Sequence, residues 1–117
     1  MRPKVLIVED NFLLAAYLAE LIQQVLDAEP LLAKSVKEAL QITPDELAIA
    51  FLDIEVVDGE SFPVARKLKE KKVPFVFVSG NEPSSLPPDL KDVPFLPKPV
   101  NPSHLVRIAK ALSSAFQ

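Results

Sequence analysis

Five polar side chains stand at the ends of apolar runs in this sequence: Glu9 and Asp10 after Val5-Leu6-Ile7-Val8, Asp53 after Leu47 to Leu52, Ser79 after Val73 to Val78, and Lys98 after Phe95-Leu96-Pro97. From Asp10 onward, each lies about one crossover unit beyond the one before. A parallel sheet would therefore gather all five at one rim, where such sheets bind ligands. Three crowded carboxylates repel one another unless a hard cation neutralises them, and an all-oxygen donor set suits Mg2+. One dication and the Lys98 ammonium balance the three negative charges. A metal, an ammonium and a hydroxyl around one carboxylate can stabilise the charge spread over a transferring phosphoryl group.

The elements that must position these groups follow from hydrophobic patterning. Val5 to Val8 and Leu47 to Leu52 are uninterrupted apolar runs, the signature of strands buried on both faces. Asn11 can cap a helix from Phe12 to Asp27, with an expected core stripe of Phe12, Ala15, Ala19, Ile22 and Leu26. Leu14, Leu18, Leu21 and Val25 form a second stripe, suited to packing on the last helix or to a partner. Pro30 to Ala33 reads as a second strand, and Ser35 with Glu38 as a capping box opening a second helix. A third helix is expected from Ser61 to Lys72, with Pro63 in its first turn and Lys67, Lys69, Lys71 and Lys72 at its solvated end. Val73 to Ser79 and Phe95 to Lys98 are the remaining strands, and Asn101-Pro102 opens a closing helix to about Phe116. Between Gly80 and Phe95, Pro83, Pro87, Pro88 and Pro94 leave room for one helical turn, so a loop replaces the fourth helix. Alternating strands and helices imply an α/β fold, a parallel sheet with right-handed crossovers and helices on both faces.

At 117 residues and 49% hydrophobic, the chain fits one domain, residues 1–117, with no room for a fused output domain. Its net charge of -3 gives no footprint for nucleic acid or for an anionic membrane. The absence of cysteine removes disulfide, thiolate and zinc-thiolate chemistry. No apolar window reaches a membrane span, and nothing at the start reads as a signal peptide, so a cytoplasmic location is expected.

Val8-Glu9-Asp10, Leu52-Asp53-Ile54, Val78-Ser79-Gly80 and Pro97-Lys98-Pro99, in that order, resemble the receiver domain of bacterial two-component response regulators over essentially the whole chain. The resemblance implies a flavodoxin-like, doubly wound five-stranded sheet in which Asp53 accepts a phosphoryl group from a phosphohistidine with Mg2+. It makes Asp10, Asp53 and the Glu55 backbone carbonyl the metal ligands, with Glu9 acting through water. Lys98 would pair with the phosphoryl oxygens, Ser79 would move to bond them, Phe95 would be the switch aromatic, and the bond before Pro99 would be cis. The implied partners are a sensor histidine kinase or histidine phosphotransfer protein and an effector protein, with homodimerisation left open. Gly59 follows Asp53 unusually closely, and Val57 stands near the customary Pro. With Phe75-Val76-Phe77-Val78-Ser79-Gly80 and the missing fourth helix, these departures resemble a stand-alone subclass whose fourth strand reads Phe-Ala-Thr-Gly.

Plainer readings remain beside these. Ser79 could cap a loop, Phe95 could be core, Lys98 could be a surface lysine, and His104 is expected to be exposed and inert. Asp53-Ile54-Glu55 superficially suggests a phosphatase of the haloacid dehalogenase type, whose Asp-x-Asp motif should instead follow the first strand. A flavin binder would need donors after the first strand, where Glu9 and Asp10 would repel a phosphate. A receiver scaffold that works without phosphorylation is a further alternative. For a phosphorylated receiver, the chain catalyses only its own phosphorylation and dephosphorylation, and the segment Asn81 to Pro94 is where the largest response is expected.

Overall fold

The computed structural model describes residues 2–80 and 86–112. Its strands are β1 (Lys4–Val8), β2 (Glu29–Ala33), β3 (Leu47–Leu52), β4 (Glu55–Val56), β5 (Gly59–Glu60), β6 (Phe75–Ser79) and β7 (Phe95–Pro97). Its helices are α1 (Phe12–Val25), α2 (Val36–Leu40), α3 (Phe62–Glu70) and α4 (Pro102–Leu112). Five strands form one parallel sheet in the order β2-β1-β3-β6-β7, the expected flavodoxin-like arrangement. From β1 the chain winds outward to β2, then crosses back to β3 and continues the other way. The winding reverses between β1 and β3, which opens a crevice at their carboxyl ends.

Alternation along the strands splits the core in two. Val5, Ile7, Ile49, Phe51, Val76 and Val78 pack beneath Leu18 and Ile22 of α1 and Leu105 and Ala109 of α4. Leu6, Val8, Leu52, Phe75 and Phe77 face Val64, Ala65 and Leu68 of α3, with Ala39 of α2 and Leu90 in the same cluster. Phe77 sits edge-on to both Phe62 and Phe75, with ring centroids 6.0 and 5.8 Å away.

Several elements differ from expectation, each for a local reason. Phe12 is 77% exposed rather than core, and Leu18 takes a place in the buried stripe with Ala15 and Ile22. The first turn of α1 begins past Val8, where β1 ends, so no strand lies beneath it. Helix α3 stops at Glu70 because Lys72 adopts a left-handed φ of 60°. Its lysines are not all solvated, since Lys67 Nζ donates to the Leu40 carbonyl at 2.7 Å and Lys69 Nζ to the Asp89 carbonyl at 2.6 Å. Between β6 and β7 the described residues form a 3-10 turn, Pro88–Leu90, and no α-helix, and this turn is held to α3 by Lys69 and by the Arg66–Asp89 ion pair. Asn101 caps α4 by accepting from the His104 amide at 3.1 Å, and His104 itself is half-buried rather than exposed. Phe116 and the start of the proline-rich segment, residues 81–85, lie outside the described residues. Among the described residues no helix is long and apolar enough to cross a membrane.

Candidate functional site

The parallel ladder carries the acidic residues to the crevice. The Glu9 amide donates to the Ala33 carbonyl at 3.0 Å and the Asp53 amide to the Val8 carbonyl at 2.9 Å, continuing β1 and β3 past their last rungs. Glu9 is buried with both carboxylate oxygens engaged, one by Lys98 Nζ at 2.9 Å and the other by the Asn11 amide at 3.0 Å. Asp53 is nearly buried, and its Oδ2 lies 3.2 Å from the same Lys98 Nζ. Asp10 is exposed at the mouth. Lys98 arrives from the end of β7, where its amide donates to the Ser79 carbonyl at 3.1 Å and the bond to Pro99 is cis, as expected.

Carboxylate oxygens of Glu9, Asp10 and Asp53 lie within 4.8 Å of one another. Unit charges at that separation repel by about 3 kcal/mol per pair at an effective dielectric near 20. One ammonium offsets only part of this, so a hard divalent cation fits the donor set, with the exposed Asp10 giving it access. Burial pulls the Lys98 ammonium toward its neutral form, but the hydrogen bond it donates to Glu9 and the charge of Asp53 outweigh it and hold its pKa above the ordinary lysine value. Lys98 therefore stays charged across the neutral range.

The remaining expected site residues divide. Ser79 is buried at the end of β6, beside the strand that carries Lys98. Phe95 is half-buried against the core that contains Phe77. Glu55 is exposed at the start of the β4–β5 hairpin, which follows Asp53 directly.

That hairpin was not foreseen, and it brings two further residues into play. Ser61, expected only to start a helix, is fully buried and donates its hydroxyl to the Asp53 carbonyl instead of capping α3. Asp58 accepts from the Val36 amide at 2.7 Å and the Lys37 amide at 3.0 Å, which clasps the hairpin tip to the start of α2. These two bonds hold the Asp58 carboxyl below its usual range. The signal for the hairpin was the Asp58-Gly59 dipeptide, a strong turn former, and Gly59 indeed takes a φ of 132°. No local pattern announces the partner of Asp58, which lies 22 residues away.

No protein-family model matches the sequence, and no curated protein matches it. Solved structures do. The non-phosphorylated HemR receiver domain from Leptospira biflexa aligns at a TM-score of 0.81 with 27% identity, covering 97% of this chain and 95% of that one. SdrG from Sphingomonas melonis Fr1 aligns at 0.80 with 33% identity, covering 95% and 96%. The response regulator TrrA from Thermotoga maritima, solved in complex with Mg2+-BeF, aligns at 0.82 with 22% identity, covering 96% and 99%.

Proposed function

Because the chain belongs to the response regulator receiver domains of two-component systems, we propose that it accepts a phosphoryl group from a phosphohistidine onto Asp53, with Mg2+, and passes the signal on by protein contact. The observation that carries this reading is the Lys98 ammonium bridging Glu9 and Asp53 beside the exposed Asp10. In the transfer, an Asp53 carboxylate oxygen forms the new O–P bond as the donor's N–P bond breaks, and the electron pair of that bond stays on the imidazole. Lys98 is placed to follow the charge as it moves from the carboxylate onto the phosphoryl oxygens. Glu9 keeps Lys98 charged and aimed. Asp10, Asp53 and the Glu55 carbonyl would hold the Mg2+ directly, with Glu9 one water away, and the metal would supply neutralisation of the phosphoryl oxygens. The TrrA neighbour, a fold relative, was solved with that metal and a beryllium fluoride. Ser79 and Phe95 serve as the switch pair, at the two ends of the segment 80–94.

The chain turns over no free substrate in this reading. A phosphatase of the haloacid dehalogenase type would place an acid two residues after its nucleophile as a proton donor. Glu55, in that position, is instead an exposed hairpin residue. Incubation with Mg2+ and acetyl phosphate, followed by intact mass, tests the reading. One added phosphoryl group that requires Mg2+ is expected, and an unchanged mass would overturn it.

The phosphodonor side has its own support. Phe12 and Leu13, one residue beyond the acidic pair, are 77% and 78% exposed, and Leu32 is half exposed across a cavity of about 290 Å³ that reaches Asp10. An apolar rim of this kind suits the helix of a histidine phosphotransfer protein or kinase dimerisation domain. Replacing Phe12 and Leu13 by Ser should slow transfer from a phosphohistidine protein about tenfold, the loss typical of a contact hot spot. Labelling by acetyl phosphate should not change, because neither side chain belongs to the acidic cluster. Equal losses with both donors would remove the docking assignment.

A further inference from the structure

We infer that Asp58 is a positioning residue for the metal half of the site, an assignment that rests on the phosphoacceptor reading. Residues 54–60 leave the rim directly after Asp53 and include Glu55, whose carbonyl stands among the proposed metal ligands. At its base the segment is secured twice, by the Ser61 amide on the Ile54 carbonyl at 2.8 Å and by the Ser61 hydroxyl on the Asp53 carbonyl. Beyond the base it folds back through two paired positions, Glu55 with Glu60 and Val56 with Gly59. A hairpin that short is not stable by itself. Its tip needs an anchor on another element.

Asp58 supplies that anchor. Its two oxygens take the Val36 and Lys37 amides at 2.7 and 3.0 Å, charge-assisted bonds to two donors that α2 cannot satisfy within itself. The chain reverses at Val57 and Asp58, between the paired Val56 and Gly59, and Gly59 enters β5 with a positive φ. A plainer role would be to cap α2. That helix is already served by Ser35, which accepts from the Glu38 amide at 3.1 Å, and by Glu38, which accepts from the Lys34 amide at 3.2 Å. The two roles therefore come apart: Ser35 caps the helix without touching the hairpin, whereas Asp58 touches both.

The test is Mg2+ titration of the full chain, read by amide NMR shifts at residues 9–11 and 53–55, for wild type, Asp58→Ala, Asp58→Asn and Ser35→Ala. Asp58→Ala should weaken Mg2+ about tenfold, as removal of groups that orient metal ligands does. Asp58→Asn keeps an acceptor at the same place and should recover part of that loss; it also serves if the alanine variant does not fold. Ser35→Ala should lower the melting temperature and leave Mg2+ affinity at the wild-type value. Wild-type affinity in both Asp58 variants, or an equal loss in Ser35→Ala, would overturn the assignment. A wild-type chain that takes up no Mg2+ would overturn the metal site itself, and this role with it.

Discussion

Asp53→Asn should remove the phosphoryl mass increase entirely, while the variant should keep its fold. The substitution preserves side-chain shape and leaves both backbone ties of residue 53 in place, the amide on the Val8 carbonyl and the carbonyl beneath the Ser61 hydroxyl. What it removes is the second carboxylate oxygen and its charge. An amide is too weak a nucleophile to displace acetate or imidazole from phosphorus, so no residual labelling is expected at this position. Glu9 offers no alternative, because it is buried and both of its oxygens are already engaged. Asp10 is exposed, but no ammonium reaches it among the described residues' ion pairs. The measurement is intact mass after acetyl phosphate with Mg2+, beside a melting curve. An acyl phosphate that persisted on the variant would remove Asp53 from its role.

Lys98→Met should have opposite effects on metal affinity and on phosphoryl transfer. The Glu9 side chain is 3% exposed, so deleting its cationic partner leaves a nearly buried charge unpaired. Without metal the variant should lose about 3 kcal/mol, near the lower end for broken buried pairs because the Lys98 side chain is 27% exposed. The carboxylates then repel without offset, and Mg2+ should bind more tightly than in wild type. Mg2+ at about a hundred times its dissociation constant would raise the variant's own stability by about 2.7 kcal/mol by linkage, and because the variant binds metal more tightly, its melting-temperature gap to wild type should narrow in saturating metal. Acetyl phosphate labelling should nevertheless slow about a hundredfold, because the positive group aimed at the developing phosphoryl charge is gone.

The pH dependence follows from the raised pKa of Lys98. The stabilisation it contributes is fully present below the ordinary lysine pKa of about 10.4 and is lost as pH rises through the higher folded value. The stability gap between wild type and variant should thus stay flat through neutral pH and shrink only in strong alkali. Weaker Mg2+ binding by Lys98→Met would contradict the charge balance on which the site is argued.

Much of the site was legible before any coordinates, because each chemical residue ends a strand and strand ends are marked by the switch from apolar to polar residues. Val5 to Val8, Ile49 to Leu52 and Phe75 to Val78 are buried on both faces, so their sequences are continuous apolar runs and need no tertiary context to be read. Asn11 and Asn101 were legible as caps for a similar reason, since each bonds an amide only three residues away. Helix α1 shows where this kind of reading fails. Its apolar residues cover more than one face, and the choice between the stripes beginning at Phe12 and at Leu14 depends on where the strand beneath it ends. Leu18 was buried and Phe12 exposed by that geometry.

The sequence by itself determined the order of the elements, the single turn that the prolines leave room for ahead of β7, and the convergence of Glu9, Asp10, Asp53, Ser79 and Lys98 on one rim. These follow from backbone periodicity and proline chemistry, which act over a few residues. Only the tertiary structure decided that Lys98 bridges Glu9 and Asp53, across sequence separations of 89 and 45 residues. Only it showed that Ser61 turns its hydroxyl under Asp53, and that Asp58 fastens the hairpin to α2. Each of these is one polar contact between distant segments, set by where packing leaves the backbones, and a side chain's own type carries no mark of which distant amide or ammonium will be waiting for it.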